Sequence, residues 1–148
     1  MQRRLVQFGM ILTMVLSFAS VHAADLMIGS RAEPAIDPHF SYLSTNLAYA
    51  RHMFDALVLS DENSNLKPGL AVSWKPLNEN TWEFKLRKNV KFHDGSSFTA
   101  KDVAFSIARI PKVPNSPNPF TGVIRSIKGT KVVDDYTIRF TTKSINPF

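Results

Sequence analysis

The stretch that decides the fold is residues 81–103, which read TWEFKLRKNVKFHDGSSFTAKDV. Apolar and charged side chains alternate over residues 81–87, and this period of two is typical of an antiparallel strand with one buried face. The alternation returns at residues 90–92 after a Lys88-Asn89 turn, and Asp94-Gly95 marks the next turn. The stretch therefore predicts two short strands joined by a turn.

A helix is predicted directly after these strands. Thr99 and Asp102 have the spacing of a capping box, in which their side chains satisfy backbone N–H groups at the start of a helix. We predict that the helix covers residues 100–110, because the residue before a proline avoids helical backbone and Pro111 follows. Residues 111–121 contain four prolines, which predict a stiff, extended surface segment.

The flanking segments predict a second helix and more strands. Residues 26–29 form a short apolar run and predict a buried first strand. Residues 32–45 predict an extended loop, after which Asn46 is expected to cap a helix. Further strands are predicted at residues 58–59, 71–74, 126–133 and 136–142, the last two as a hairpin. The chain is thus predicted to be mixed α/β.

Composition excludes several classes of protein. A hydrophobic share of 44% with 11% aromatic residues indicates a packed globular chain and not a disordered one. The net charge is +6, but basic residues alternate with apolar ones and form no long run, so nucleic acid is not an expected partner. The chain has no cysteine, which excludes disulfides, thiolate metal sites and cysteine nucleophiles.

The first 23 residues have the features of a secretory signal peptide. A basic start at Arg3-Arg4 precedes a mostly apolar stretch at residues 5–18, and Val21-His22-Ala23 suits signal peptidase. The apolar stretch is shorter than the roughly 20 residues that a membrane anchor needs. We predict cleavage between Ala23 and Ala24, which lowers the net charge from +6 to +4. With no cysteine to carry a lipid, the mature protein, residues 24–148, is expected to diffuse freely in the periplasm.

Five motifs occur in a fixed order along the mature chain. They are IDPH at residues 36–39, LAVSW at 70–74, WEFKLRKNVKFHDG at 82–95, FTAKDV at 98–103 and VDDYTIRF at 133–140. Together they resemble the family 5 solute-binding proteins, which include oligopeptide, dipeptide and nickel-chelate receptors. The resemblance covers essentially all of residues 24–148. It implies a type II periplasmic-binding-protein-like α/β fold, here only the N-terminal part of the first lobe, because family members are far longer.

The resemblance also implies a function. Family members enclose a solute between two lobes and deliver it to an ABC permease in the inner membrane. The implied ligand contacts are Tyr42, Ser44 and Thr45 in the loop after the first strand, and Phe120 in the proline-rich segment. Tyr42 offers a ring and a hydroxyl, while Ser44 and Thr45 offer donors and acceptors to a peptide backbone. The alternative for Tyr42 is a role at the edge of the core.

No catalytic, metal or cofactor site is predicted. His39, His52 and His93 are widely spaced and do not have the spacing of metal ligands. No serine stands in the context of an activated nucleophile. We expect a monomeric binding protein whose solute is a peptide, with small chelates or sugars as the second choice. Two other readings stay open, namely a truncated receptor fragment that binds nothing and, less favoured, a secreted enzyme.

Overall fold

The structure is a computed structural model that describes Met27, Gly29 and residues 35–145. Its main sheet has four antiparallel strands, which are β3 (Ala71–Asn78), β4 (Thr81–Leu86), β5 (Ile127–Asp134) and β6 (Thr137–Thr142). Their spatial order is β3-β4-β6-β5. A separate antiparallel hairpin precedes the sheet and consists of β1 (Val58–Ser60) and β2 (Leu66–Pro68). The predicted strands at residues 58–59, 71–74, 81–87, 126–133 and 136–142 are all confirmed.

Three helices accompany the strands. They are α1 (Ser44–Met53), α2 (Ala100–Arg109) and α3 (Thr121–Ile124), and a 3-10 turn at Ile110–Lys112 extends α2. The predicted capping box is confirmed, since the carboxylate of Asp102 accepts the backbone N–H of Thr99 at 2.7 Å and its hydroxyl at 2.9 Å. Within the described part of the chain, no helix is both long enough and apolar enough to cross a bilayer.

The hydrophobic core lies between α2 and one face of the main sheet. Its buried members are Ala71, Phe84, Leu86, Phe98, Ala100, Val103, Ile138 and Phe140. Ile138 is 0% exposed and pairs in register with Phe84 on the neighbouring strand. The rings of Phe84 and Phe140 meet edge to face at 5.2 Å. Most of the core residues lie on this face of the sheet. Full burial of a large apolar side chain stabilises a fold by about 1.5–3 kcal/mol, so this face contributes strongly to stability.

The other face of the sheet holds a buried carboxylate that the alternating pattern assigned to solvent. Glu83 lies directly opposite Arg139 in the β4–β6 register. Arg139 donates from Nε to a carboxylate oxygen of Glu83 at 2.8 Å, and its Nη2 lies 2.7 Å from the same oxygen. These hydrogen bonds lower the pKa of Glu83, and Lys85 adds to the effect. The long basic side chains therefore cover Glu83 while neutralising it.

Two predicted strands are wrong for the described residues. Residues 90–92 form no regular strand, because the tight turn at Gly95 (φ +87°) leaves only the isolated bridge between Lys91 and Ser97. Met27 and Gly29 are not in a strand either, and Met27 is 94% exposed. No described strand pairs with them, and a strand needs a neighbour for its backbone hydrogen bonds. The rest of the predicted first strand and the predicted signal peptide lie outside the described residues.

The start of α1 also differs from the prediction. Leu43 occupies the cap position and the helix begins at Ser44, so Asn46 lies inside the first turn and does not cap it. Its buried side chain accepts the backbone N–H of Ala35 at 2.8 Å and donates to the carbonyl oxygen of Ser41 at 3.1 Å. Asn46 therefore holds the preceding loop in place, and residues 44 and 45 belong to the helix.

Candidate functional site

Two loops that are far apart in sequence are joined in the structure. We call them the N-terminal loop (residues 35–43) and the proline-rich loop (residues 113–120). The backbone N–H of Tyr42 donates to the carbonyl oxygen of Asn118 at 2.7 Å, and the hydroxyl of Ser116 donates to that of Phe40 at 2.6 Å. These two hydrogen bonds join the loops, which therefore form one surface.

This surface brings together two of the four predicted ligand contacts. The rings of Tyr42 and Phe120 lie 5.1 Å apart between centroids at 73°, and Phe120 also meets the ring of His39 at 5.8 Å. Both contacts have the edge-to-face geometry that aromatic pairs prefer. Tyr42 keeps 51% of its surface exposed.

The other two predicted contacts lie in the first turn of α1. Ser44 is exposed and Thr45 is half-buried. Thr45 lines a depression of about 190 Å³ together with Ser41, Leu43 and Pro117, at the seam between α1 and the two loops. The structure thus places Thr45 beside the joined loops, with Ser44 next to it on the helix surface.

Arg109, in the last turn of α2, is bonded to the N-terminal loop. One guanidinium nitrogen donates to Asp37 Oδ1 at 2.9 Å and lies 3.1 Å from His39 Nδ1, while the other contacts Asp37 Oδ2. Asp37 Oδ1 also accepts the backbone N–H of His39 at 2.9 Å. An arginine fork on a carboxylate is among the stronger and more directional contacts in proteins. We call these three residues the Arg109 cluster.

The electrostatics of the Arg109 cluster follow from these bonds. The hydrogen bond from Arg109 lowers the pKa of Asp37 to about 2, against burial, which acts in the opposite direction. Burial, assisted by the charge of Arg109, lowers the pKa of His39 below its ordinary value of 6.5. Because arginine only donates, Nδ1 of His39 must be the unprotonated acceptor. With Nδ1 as the acceptor, the neutral form of His39 carries its proton on Nε2.

Sequence reasoning missed the Arg109 cluster. Asp37 and His39 were quoted as part of the IDPH motif, and Arg109 was only a residue near the end of a predicted helix. The contact spans 72 residues of sequence, and no local pattern reports it. The only available signal in the sequence was Asp37 itself, an aspartate before a proline in a loop with no evident partner nearby, and this does not identify Arg109.

A groove larger than the depression beside Thr45 lies between the end of α1, α2 and residues 90–98, and Pro38 and His39 of the N-terminal loop also line it. It measures about 580 Å³ and has an apolar floor that includes Leu57, Phe98 and Ile107, with Arg51, His52, Lys91 and His93 among its other lining residues. None of Tyr42, Ser44, Thr45 and Phe120 lines it. In the described part of the chain, no group of three histidine or acidic side chains is arranged to hold a metal ion.

The chain is similar in sequence to known receptors. Residues 65–147, more than half of the chain, match the model of the bacterial extracellular solute-binding proteins, family 5 Middle. The periplasmic oligopeptide-binding protein OppA of Escherichia coli is 30% identical over 131 residues, which cover 77% of this chain and 24% of that protein. The periplasmic murein peptide-binding protein MppA of Escherichia coli is 35% identical over 89 residues, or 60% of this chain and 16% of that protein.

A solved structure gives the same result for the fold. The crystal structure of Haemophilus influenzae OppA in complex with RPPGFSPFR superimposes with a TM-score of 0.69 at 28% identity, over 78% of this chain and 26% of that one. The chain therefore spans about a quarter of the length of the proteins that it matches. Its mixed helix and sheet architecture is part of a periplasmic-binding-protein fold, as the resemblance implied. This chain belongs to the bacterial extracellular solute-binding proteins of family 5.

Proposed function

We propose that this chain captures peptides in the periplasm as part of a solute-binding protein that delivers them to an ABC permease. The relatives named above bind oligopeptides or a murein peptide, and one was solved with a nonapeptide. Family membership supports binding without a chemical step. Because the chain spans about a quarter of its relatives' length, the activity of the whole receptor is inferred from them.

The observation that carries the proposal is the aromatic pair of Tyr42 and Phe120 on the joined loops. A peptide presents apolar side chains and a backbone of amide donors and acceptors. The exposed ring of Tyr42 would cover the former, and its hydroxyl would serve the latter together with Ser44 and Thr45. A backbone hydrogen bond joins the two loops, and a surface ordered in this way loses less entropy on binding.

Titration calorimetry with the peptide RPPGFSPFR tests this proposal on the gene product purified from cells. We expect saturable binding, and we expect Tyr42→Ala to weaken it about tenfold, which corresponds to about 1.4 kcal/mol. Phe105→Ala is the matched control, because Phe105 is an exposed aromatic residue on α2 and belongs to neither loop. The control should bind as the unchanged protein does.

Two results would contradict the proposal. If neither RPPGFSPFR nor a mixture of random tri- to pentapeptides binds, peptides are not the solute, and small chelates or sugars become the candidates. If peptide binds with the same affinity to the Tyr42→Ala variant, the site lies elsewhere on the receptor.

Location and partner belong to the same proposal. The periplasmic relatives support export, and the predicted signal peptide explains how export would occur. Mass spectrometry of the exported product should show an N-terminus at Ala24. An N-terminus at Met1 on the exported product would contradict cleavage. The permease partner and the monomeric state stay predictions that follow from the family.

A further inference from the structure

We propose that Arg109 is a positioning residue for solute binding, acting through Asp37 and His39 on the aromatic pair of Tyr42 and Phe120. This inference rests on the function proposed above. Arg109 would set the geometry of the residues that contact the solute.

The path begins in the core. α2 is held against the sheet by Ala100 and Val103, both buried, and by a backbone hydrogen bond of 2.8 Å from Ala100 to the carbonyl of Asp135. Arg109 extends from the last turn of this anchored helix. The backbone that carries the Arg109 side chain is therefore fixed, which would not hold for an arginine on a mobile loop.

From Arg109 the path reaches the N-terminal loop through three polar contacts. Both oxygens of Asp37 contact the guanidinium group, and the same group reaches His39 Nδ1. The Asp37 carboxylate also holds the backbone of His39. The orientation of the His39 ring is therefore determined from two sides, by its own backbone and by Arg109.

The last two steps are aromatic. The His39 ring packs edge to face on Phe120, and Phe120 packs edge to face on Tyr42. A tilt of the His39 ring would move Phe120 and hence the ring that we assign to the solute. Ordering a loop on binding costs conformational entropy, so a loop that the fold has already ordered binds more tightly.

Lysine cannot replace arginine in this role. A lysine ammonium group is a single point charge on a flexible stem, whereas the planar guanidinium group contacts both carboxylate oxygens and the imidazole at once. Arg109→Lys therefore keeps the positive charge but removes the simultaneous contacts. The Arg109→Lys variant therefore distinguishes a positioning role of Arg109 from a role in neutralising the charge of Asp37.

The chain offers a matched control in Arg139. Its side chain is 35% exposed, against 36% for Arg109, and it also contacts a carboxylate through two nitrogens. However, Arg139 and its partner Glu83 lie on strands of the sheet, outside both loops. Arg139→Lys disturbs a comparable ion pair without touching the proposed path.

The first experiment measures affinity for RPPGFSPFR by calorimetry in the purified gene product. We expect Arg109→Lys to weaken binding five- to tenfold and Arg139→Lys to change it less than twofold. If Arg109 acts through Phe120, the double variant Arg109→Lys with Phe120→Leu should bind about as weakly as Phe120→Leu alone. Full additivity of the two losses would overturn the path.

The second experiment needs no solute and so separates this inference from the proposed function. Hydrogen exchange of the Tyr42 amide, which is bonded to Asn118, should speed up at least tenfold in Arg109→Lys and stay unchanged in Arg139→Lys. Unchanged exchange in Arg109→Lys would overturn the inference whatever the solute is. Faster exchange with no peptide binding in any variant would refute the proposed function and, with it, the role of Arg109 in binding.

A variant that fails to fold would not end the test. Asp37→Asn removes the carboxylate charge but keeps a side chain of the same shape, and it should reproduce both effects of Arg109→Lys. If Asp37→Asn leaves both affinity and Tyr42 exchange unchanged, the inference is wrong.

Discussion

The main sheet and the two joined loops are both ordered, but different contacts hold them. Phe84, Ile138 and Phe140 form one continuous apolar face in the sheet, and α2 covers it. The loops are held by a small number of polar bonds, at Tyr42, Ser116 and Arg109. Apolar burial is spread over many atoms and is insensitive to pH, whereas the loops depend on a few polar bonds, of which those made by Asp37 and His39 change with protonation. The sheet should therefore govern global stability, and the loops should respond locally.

The largest expected effect is on the sheet. Ile138→Ala should lower the free energy of unfolding by about 3 kcal/mol, because it removes a fully buried side chain and leaves a cavity. Ile36→Ala makes the same change at a residue of the N-terminal loop that is 85% exposed, and it should cost less than about 0.5 kcal/mol. Urea unfolding followed by circular dichroism measures both. If both variants lose the same free energy of unfolding, the sheet does not govern global stability more than the loops do.

A smaller effect is expected where α2 begins. Thr99→Ala removes the hydroxyl that bonds to Asp102 and should lower the free energy of unfolding by about 1 kcal/mol. Ser97→Ala, at an exposed position two residues earlier, is the control and should be nearly neutral. The same urea titrations apply. A neutral Thr99→Ala would mean that the packing of α2 on the sheet, and not the capping box, determines where the helix starts.

The smallest effect is expected from acid, and it should appear in the loops. The pKa of Asp37 is lowered from 3.8 to about 2, so the stability from its bond to Arg109 is present above pH 3.8 and lost as the pH falls through this interval. The pKa of His39 is also lowered, so the unfolded chain binds its proton first as the pH falls below 6.5. Both groups therefore make stability decrease on acidification. Of the two, His39 is the one whose protonation lowers stability between pH 7 and pH 5.

Hydrogen exchange at the Tyr42 amide tests the effect of acid. After correction for intrinsic exchange rates, protection should decrease from pH 7 to pH 5 in the unchanged chain. His39→Gln should remove most of this decrease, because a glutamine oxygen still accepts from Arg109 but does not titrate. His93→Gln, at an exposed histidine outside the loops, should keep it. The same decrease in all three proteins would mean that His39 is not the sensor.

The main sheet and α2 could be predicted from the sequence, whereas contacts between distant segments could not. β4 was located by its alternation, β6 by the hairpin signal at Asp134-Asp135, and α2 by the pair of Thr99 and Asp102, because these signals lie within a few residues of the structure that they describe. Asn46 was wrongly assigned as a cap, since its side chain bonds to Ala35 and Ser41 and no propensity reports such partners. Glu83 was wrongly assigned to solvent for the same reason, as its partner Arg139 comes 56 residues later.

The contacts of the candidate site were the hardest to predict from the sequence. Tyr42 and Phe120 were named separately from the resemblance to family 5, and their roles in binding are still predictions. Their contact with each other was not foreseen, because it depends on bonds across 76 residues of sequence. Arg109 was not considered at all.

The sequence by itself determined the family, the mixed α/β class, the strands of the sheet and the limits of α2. The family follows from the resemblance of the five motifs. The class, the strands and α2 follow from hydrophobic periodicity and from side chains that act on their own backbone neighbours, and both signals are local in the chain. Only the tertiary structure decided that the two loops form one surface and that Arg109 fixes it from the end of α2. Its fork on Asp37 needs both oxygens and the imidazole of His39 in one place, and only the folded backbone brings them there.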